Sequence, residues 1–486
     1  MGAVPAWHAQ RRPGAPALIS DEGTLSWQDM ADRVAARANA LLAMHVAPGD
    51  RVAISLPNGF AFIESLFAIW AVGAVPMPLS PTLAVQERSA LLTLARPALV
   101  IGEGEGPWPK VPVDWTPVPT GAGLPEIAPA QSWKLMASGG STGRPKLIQA
   151  ERPALTDPDV YELFPWDMHE GRLGRPDGVM LCPGPLYHNG PLVHAAMNLF
   201  AGSTLVLMRR FDAAAALTLI ERHRVEFSYL VPTMMRRIMA LGVEERNRYD
   251  LSSLRGIVHT ASACAEDLKR QWFEWLGPER VWETYGSTEA VASTVIGGVD
   301  WLAHPGSVGQ FFFGAHGAIR NSVGETLPAC EVGEIWVRPG PAGPGFRYVG
   351  AEPCVRDGWY SFGDLGSMDA EGYLYIADRR DDLIIRGGNN IYPAEVEAAL
   401  EAHPAIVAAA VIGLPDDDLG ARVHAIIQLR APVSLDTVEQ FVRDRLTRHK
   451  RPQSFEIVDF DLRDAAGKLR RSALRDKRIA DPIIFG

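Results

Sequence analysis

Cysteine is scarce and scattered in this chain. Cys182, Cys264, Cys330 and Cys354 share no CxxC spacing and no histidine at a ligand interval, which speaks against a disulfide framework and a zinc site. Long apolar runs are missing as well. The most hydrophobic stretch, Leu66 to Leu79, has 14 residues and is interrupted by Gly73, Pro76 and Pro78, too short to span a bilayer and better read as a core helix running into a buried strand. Met1 to Pro13 contains no apolar segment of a secretory signal. Positive charge is in deficit, with 47 Lys and Arg against 57 Asp and Glu and a net charge of −10, which disfavours a general nucleic-acid or anionic-membrane surface. Neither a solenoid-period repeat nor a low-complexity tract occurs. A reducing, cytoplasmic compartment is the expectation.

The 486 residues, 47% of them hydrophobic, suffice for one large and one small domain. Residues 27–46 carry Met30, Val34, Ala38, Leu41 and Leu42 at helical spacing, followed by a short apolar strand from Asp50 to Leu56. Helix and strand alternate through Phe60 to Val75 and Ala98 to Ile101, break at the seven-proline stretch Gly104 to Pro129, and return between Ser203 and Leu241. That rhythm predicts an α/β domain with a largely parallel, buried sheet. From Gly306 onward, Gly- and Pro-rich turns separate short segments such as Gly333 to Arg338, which suits antiparallel strands or a small barrel. The last hundred residues read as a compact α+β unit: helices over Pro393–His403 and Leu435–Leu446, strands over Ala408–Ile412 and Val423–Leu429.

The strongest local motif runs Ser138-Gly139-Gly140-Ser141-Thr142-Gly143-Arg144-Pro145-Lys146. Its glycines permit a tight turn, its backbone N–H groups and hydroxyls can cradle a polyphosphate, and Lys146 supplies a point charge. Alone, the same residues also suit a plain Gly/Ser surface turn. Arg144 and Pro145 separate Gly143 from Lys146, so this is no Walker A loop. Gly139 to Gly143 also spells G-x-S-x-G, the nucleophile elbow of serine hydrolases, a different enzyme class. An elbow needs strand, turn and helix, whereas Pro145 and the extended residues after it predict strand, loop and strand. His169-Glu170 has no second histidine for a zinc-protease motif.

The company of the loop separates these readings. Tyr285-Gly286-Ser287-Thr288-Glu289, Gly363-Asp364, Asp378-Arg379, the run Arg386-Gly387-Gly388-Asn389-Asn390-Ile391-Tyr392-Pro393 and Gly467-Lys468 follow it in that order. As an ordered set spanning residues 138–471 they resemble the adenylate-forming superfamily of acyl-CoA synthetases, adenylation domains and luciferases. The resemblance implies two domains, an adenylation core over 1–380 and a mobile C-terminal domain over 381–486, with a hinge at Asp381. It implies ATP and Mg²⁺ as cofactors, a carboxylic acid as substrate, and CoA or an amino acid as acceptor. The β- and γ-phosphates go to Ser138 through Lys146, and adenine and phosphate contacts to Ser262, Ala263, Thr284, Tyr285, Gly286, Ser287 and Thr288. Glu289 would take the magnesium, Asp364 and Arg379 the ribose with Ile376 beside it, and Lys468 the carboxylate and α-phosphate. Chemically the set is coherent, because carboxylate and ATP repel each other and in-line attack needs positioned cations. By itself Lys468 would pass for part of a solvated basic tail, since Arg463 to Arg478 holds seven basic and two acidic residues. A non-catalytic binding protein would be expected to have lost Thr288, Glu289, Asp364, Arg379 or Lys468; all are present.

Within that resemblance the acyl pocket is expected from Tyr187, His188, Asn189 and Gly190, from Met234 and Met235, and from Ala261 and Val291, with His188 as a mobile gate. The small and flexible residues among these suit a bulky acid. Arg386, Gly387 and Gly388 would pass a pantetheine arm. The segments around Pro185–Pro191 and Ser138–Ile148 are most similar to ligases of fused-ring acids, of the bile-acid-CoA type, which form thioesters, and of the coronafacate type, which form amides; the thioester is the expected product. Departures are Phe362 before the Gly-Asp pair, Thr260 to Cys264 in the adenine segment, and Ala421 in place of a glutamate. A homodimer is left open.

Overall fold

The structure is a computed structural model that describes residues 1–138, 146–157, 177–416, 418–464 and 467–480. Local sequence signals start its helices. Ser26 and Asp29 form a reciprocal capping box at the start of helix Trp27–Ala43, with Asp29 N–H donating to Ser26 Oγ at 3.1 Å and Ser26 N–H donating to Asp29 Oδ2 at 3.0 Å. The helix then buries Met30, Val34, Ala38 and Leu41 on one stripe, as its 3.6-residue spacing requires. Asp212 caps Ala213–His223, and Pro232 occupies the first turn of Pro232–Met239, where its missing N–H has no partner to lose.

Among the described residues a 14-stranded sheet dominates the large domain. One half is parallel: Pro16–Ser20, Thr204–Leu207, Val179–Cys182, Phe227–Leu230, Gly256–His259 and Val281–Gly286 lie side by side. The other half is antiparallel, from Ser293–Gly297 through Ser307–Phe311, Leu374–Arg379, Trp359–Met368 and Gly333–Arg338 to His316–Arg320. The barrel-like texture after Gly306 is therefore the antiparallel continuation of the parallel sheet. A four-stranded parallel sheet (Val75–Pro78, Arg51–Ser55, Leu99–Gly102, Lys110–Val111) packs with the first half into one apolar core around Trp27, Phe62, Phe67 and Tyr229. Leu66 to Leu79 does form the end of a helix and a fully buried strand.

A third, antiparallel sheet joins Leu135–Ser138, Lys146–Ala150 and Phe346–Val349. Ser138 pairs with Lys146, so the segment expected to cradle phosphate is flanked by two paired strands. Strand follows strand, as an elbow would not allow. The C-terminal unit is a three-stranded sheet, Ile406–Asp416, Gly420–Leu429 and Ser454–Val458, with helices Pro393–Glu401, Leu435–Arg443 and Arg471–Ala480. Its long strands have apolar clusters of their own, Ala409 and Val411 on one face and Ala410 and Ile412 on the other. Such a unit holds an apolar core of its own.

Candidate active site

Asp364 and Arg379 stand directly opposite each other on neighbouring antiparallel strands. Arg379 Nε lies 3.3 Å from Asp364 Oδ1, and Tyr285 O–H donates to Asp364 Oδ2 at 2.6 Å. The Asp364 side chain is 11% exposed, that of Arg379 about half exposed. A bulge between Leu365 and Gly366 sets the local twist; a Cβ at residue 366 would sit 2.2 Å from the Tyr375 carbonyl oxygen, so only glycine admits this approach. Burial and the neighbouring Asp364 charge push the Tyr285 phenol well above its usual pKa, while the same carboxylate holds Arg379 firmly protonated. Ile376 is partly buried beside them.

Glu289 follows Tyr285 by four residues and is 7% exposed. Its Oε1 accepts a 2.5 Å bond from the Tyr348 hydroxyl and lies 3.7 Å from Lys146 Nζ, which itself donates to Tyr348 Oη at 3.1 Å and sits over that ring. Sequence reasoning missed Tyr348. It arrives by pairing of Phe346–Val349 with Lys146–Ala150, across some two hundred positions and outside any motif. Gly139 to Gly143 lie outside the described residues, and of Ser138 only the strand pairing is described. Two hydroxyls expected at the nucleotide, Ser262 Oγ and Ser287 Oγ, are buried without a hydrogen-bond partner among the described residues. Thr284 Oγ1 is engaged by the Thr294 carbonyl at 2.7 Å and so braces two strands. Gly286 packs against Ser293, Thr288 lies in the turn after that strand, and Ala261 and Ala263 are exposed, Ala261 with φ +79°.

Lys468 belongs to a turn that enters the same cleft. Its N–H donates to Asp464 Oδ1 at 3.0 Å, Gly467 N–H donates to the Asp464 carbonyl at 2.8 Å, and Gly467 has φ +76°. The side chain keeps contact with solvent, yet crowding of the cleft and the Arg379 charge lower the ammonium pKa, opposed by Asp464, Glu289 and Asp364. Those influences bring together four residues far apart in sequence, 289, 364, 379 and 468.

The wall expected to face the acid begins at helix Asn189–Ala201. Asn58, buried and unnoticed in the sequence, holds the segment before it: its Nδ2 donates to the Gly184 and Met208 carbonyls at 2.8 and 3.0 Å, and its Oδ1 accepts from Leu186 N–H at 2.8 Å. His188 is kept neutral, its pKa pushed down to about 4 by burial against the partial opposition of Asp464, with Lys468 and Arg470 adding to the shift. The Tyr187 ring lies beside it, centres 5.0 Å apart and planes tilted by 55°. Lys134, also absent from the motif reading, is 4% exposed and donates to Asn189 Oδ1, with its ammonium 4.6 Å from the Trp133 ring centre.

One pocket expectation needs correction. The room expected at Gly190 is taken, because a Cβ there would lie 2.1 Å from Tyr229 Oη and that ring is fully buried. Val291 packs with Ile148, Val337, Phe346 and Leu374, in a cluster against which Tyr285 also packs. Met234 does border the wall, near Gly184, while the Met235 carbonyl accepts from Trp272 Nε1 at 3.3 Å. Arg386 donates to the His449 carbonyl and Gly387 N–H to the Leu419 carbonyl, both within the C-terminal unit; Gly387 and Gly388 have φ +54° and +79°. Asp381 lies in the short turn Arg380–Asp382.

A family model for AMP-binding enzymes matches residues 5–344, and one for the C-terminal domain of AMP-binding enzymes matches residues 395–468. Among curated proteins, a feruloyl-CoA synthase of Amycolatopsis sp is 33% identical over 98% of both chains. A 3-[(3aS,4S,7aS)-7a-methyl-1,5-dioxo-octahydro-1H-inden-4-yl]propanoyl:CoA ligase of Mycobacterium tuberculosis is 30% identical over 96% of both. Among solved structures, o-succinylbenzoate CoA synthetase of Bacillus subtilis with its acyl-adenylate intermediate superposes with a TM-score of 0.82 at 28% identity, covering 97% of this chain and 98% of that one. An amide bond synthetase of Marinactinospora thermotolerans superposes with a TM-score of 0.79 at 26% identity, covering 98% and 99%.

Proposed function

Since the chain belongs to the adenylate-forming AMP-binding enzymes and is an AMP-forming acid–CoA ligase, we propose that its acid is a bulky cyclic or fused-ring carboxylic acid. ATP and the acid give an acyl-adenylate and pyrophosphate, and CoA then takes the acyl group as a thioester. The observation that carries the assignment of residues is the convergence of Lys468, Arg379, Asp364 and Glu289 on one cleft.

In this reading Asp364 accepts the ribose hydroxyls while Tyr285 and Arg379 hold it in place, and the orphaned Ser262 and Ser287 hydroxyls find partners on the nucleotide. The Lys468 ammonium offsets the charge that builds as carboxylate oxygen meets α-phosphorus. A magnesium ion suits the donors present. Glu289 offers a hard carboxylate oxygen, and among the described residues no group of three or more His, Cys, Asp or Glu side chains is arranged to hold a metal ion, so the ion would rest on Glu289, nucleotide phosphates and water. When bound it neutralises phosphate charge. Asp381 is the hinge of a C-terminal domain starting there, which turns after adenylation to withdraw Lys468 and bring Arg386 to Gly388 toward the acceptor.

The acid class rests on the motif likeness to fused-ring ligases and on relatives whose names specify aryl and octahydroindenyl acids. An amide product is the second reading, favoured by the likeness to an amide bond synthetase. Mass spectrometry of products from Mg·ATP with fatty, aromatic and fused-ring acids, offered CoA in one arm and mixed amino acids in the other, tests both points. Acyl-CoA from cyclic acids, confined to the CoA arm, is expected. Preference for linear fatty acids would overturn the acid class, and amides formed without CoA would overturn the acceptor.

A further inference from the structure

One ionic cluster ties the lysine-bearing turn to the large domain. Arg236, on helix Pro232–Met239, places Nη2 2.6 Å from Glu401 Oε2, and its Nη1 donates to the Glu401 carbonyl at 3.3 Å. Glu401 ends helix Pro393–Glu401 of the C-terminal unit, and its Oε1 accepts from Arg463 Nη2 at 2.9 Å and from Ala409 N–H at 3.1 Å. Arg463 in turn donates Nη1 to the Gly467 carbonyl at 3.1 Å, one residue before Lys468. Gly467 rests on the same large-domain helix: a Cβ there would come within 3.2 Å of Thr233 Oγ1 and 3.3 Å of Val231 Cγ2. The three charged side chains are 19%, 7% and 15% exposed, so solvent screens them only partly.

The two halves of this cluster differ in kind. Arg463 to Glu401 lies within the C-terminal unit and travels with it. Arg236 to Glu401 crosses between the units. The cluster also borders the adenine segment, since Ala263 lines the same small cleft as Arg236, Glu401 and Arg463.

We propose that Arg236 and Glu401 are positioning residues for the first half-reaction: their contact holds the C-terminal unit in the orientation that presents Lys468, and its release accompanies the turn to the second. The inference rests on the roles given above to Lys468 and the hinge. A hydrogen-bonded, partly desolvated ion pair of this sort shifts an equilibrium by roughly ten- to a hundredfold.

Arg236→Met keeps the aliphatic stem and removes the charge. With the acid selected by the product panel, it should slow acyl-adenylate formation by about tenfold or more, while thioester formation from supplied acyl-adenylate stays within about twofold of wild type. Arg236→Lys should restore part of the first rate. A dye pair, one on each unit, should report a loss of the closed population with Mg·ATP in Arg236→Met, whether or not catalysis is measured. Equal slowing of both half-reactions, or an unchanged first one together with an unchanged dye signal, would overturn the proposal. Lys468→Ala, run in parallel, separates the premises: if it leaves adenylation intact, the lysine assignment fails on its own account.

Discussion

Lys134 permits a stability prediction whose sign and size follow from its surroundings. Its ammonium is buried, its hydrogen bond to Asn189 carries no counter-charge, and burial lowers its pKa from 10.5 to about 7, opposed by Glu289 and furthered by Arg152. Below pH 7 the folded and unfolded chains both carry the proton, and folding bears the whole cost of hiding the charge. Between pH 7 and 10.5 the unfolded chain binds a proton that the folded chain does not, so stability rises with pH by up to about 1.4 kcal/mol per unit. Lys134→Met keeps the volume and has no such term. Urea unfolding of both proteins at pH 7, 8 and 9 should show wild type gaining about 2 kcal/mol on the variant over that range. Parallel pH dependences would refute the buried-charge argument; a difference running the other way would mean that Glu289 outweighs burial.

Replacing Asp364 by Asn preserves shape but removes the charge that Tyr285 and Arg379 share, and should raise the KM for ATP by roughly ten- to a hundredfold in an adenylation assay, with a smaller change in KM for the acid. Lys468→Ala should slow adenylation by about 10²-fold or more and spare thioester formation from supplied acyl-adenylate. Because crowding lowers the Lys468 pKa, its cationic form is lost at lower pH than that of a free lysine, so adenylation should decline on the alkaline side, and Lys468→Arg should extend activity to higher pH. Gly190→Ala drives a methyl group into Tyr229 Oη and should lower the melting temperature by several degrees, with partial recovery when Tyr229→Phe removes that oxygen.

Much of this site could be read from the chain because its chemistry sits in short, ordered motifs. Pro145 and the extended residues after it predicted a strand where an elbow needs a helix, and a paired strand is found. Gly363-Asp364 and Asp378-Arg379 were named for one ribose, and their strands set Asp364 opposite Arg379. Tyr348, Asn58 and Lys134 escaped notice for a physical reason. Each reaches the site through tertiary pairing or burial, and a lone Tyr, Asn or Lys has no local signature of that. Val291, close to Tyr285 along the chain, belongs to an apolar cluster against which Tyr285 also packs. Gly190 implies empty room only in the sequence, which does not reveal that Tyr229 fills it.

The bulge at Leu365 and Gly366 has a consequence for how such a protein can change over generations. Asp364 and Arg379 are held by a ladder of backbone bonds around a glycine that admits no side chain, so this corner can be altered only by disturbing two strands together. The wall at residues 187–191 hangs on side chains instead, Asn58, Lys134 and Tyr229, each replaceable singly. If the ladder holds the nucleotide and the wall the acid, as proposed above, descendants of this chain can drift toward new acids while keeping their grip on the nucleotide, and a designer seeking a different substrate would begin at that wall and leave the ladder alone.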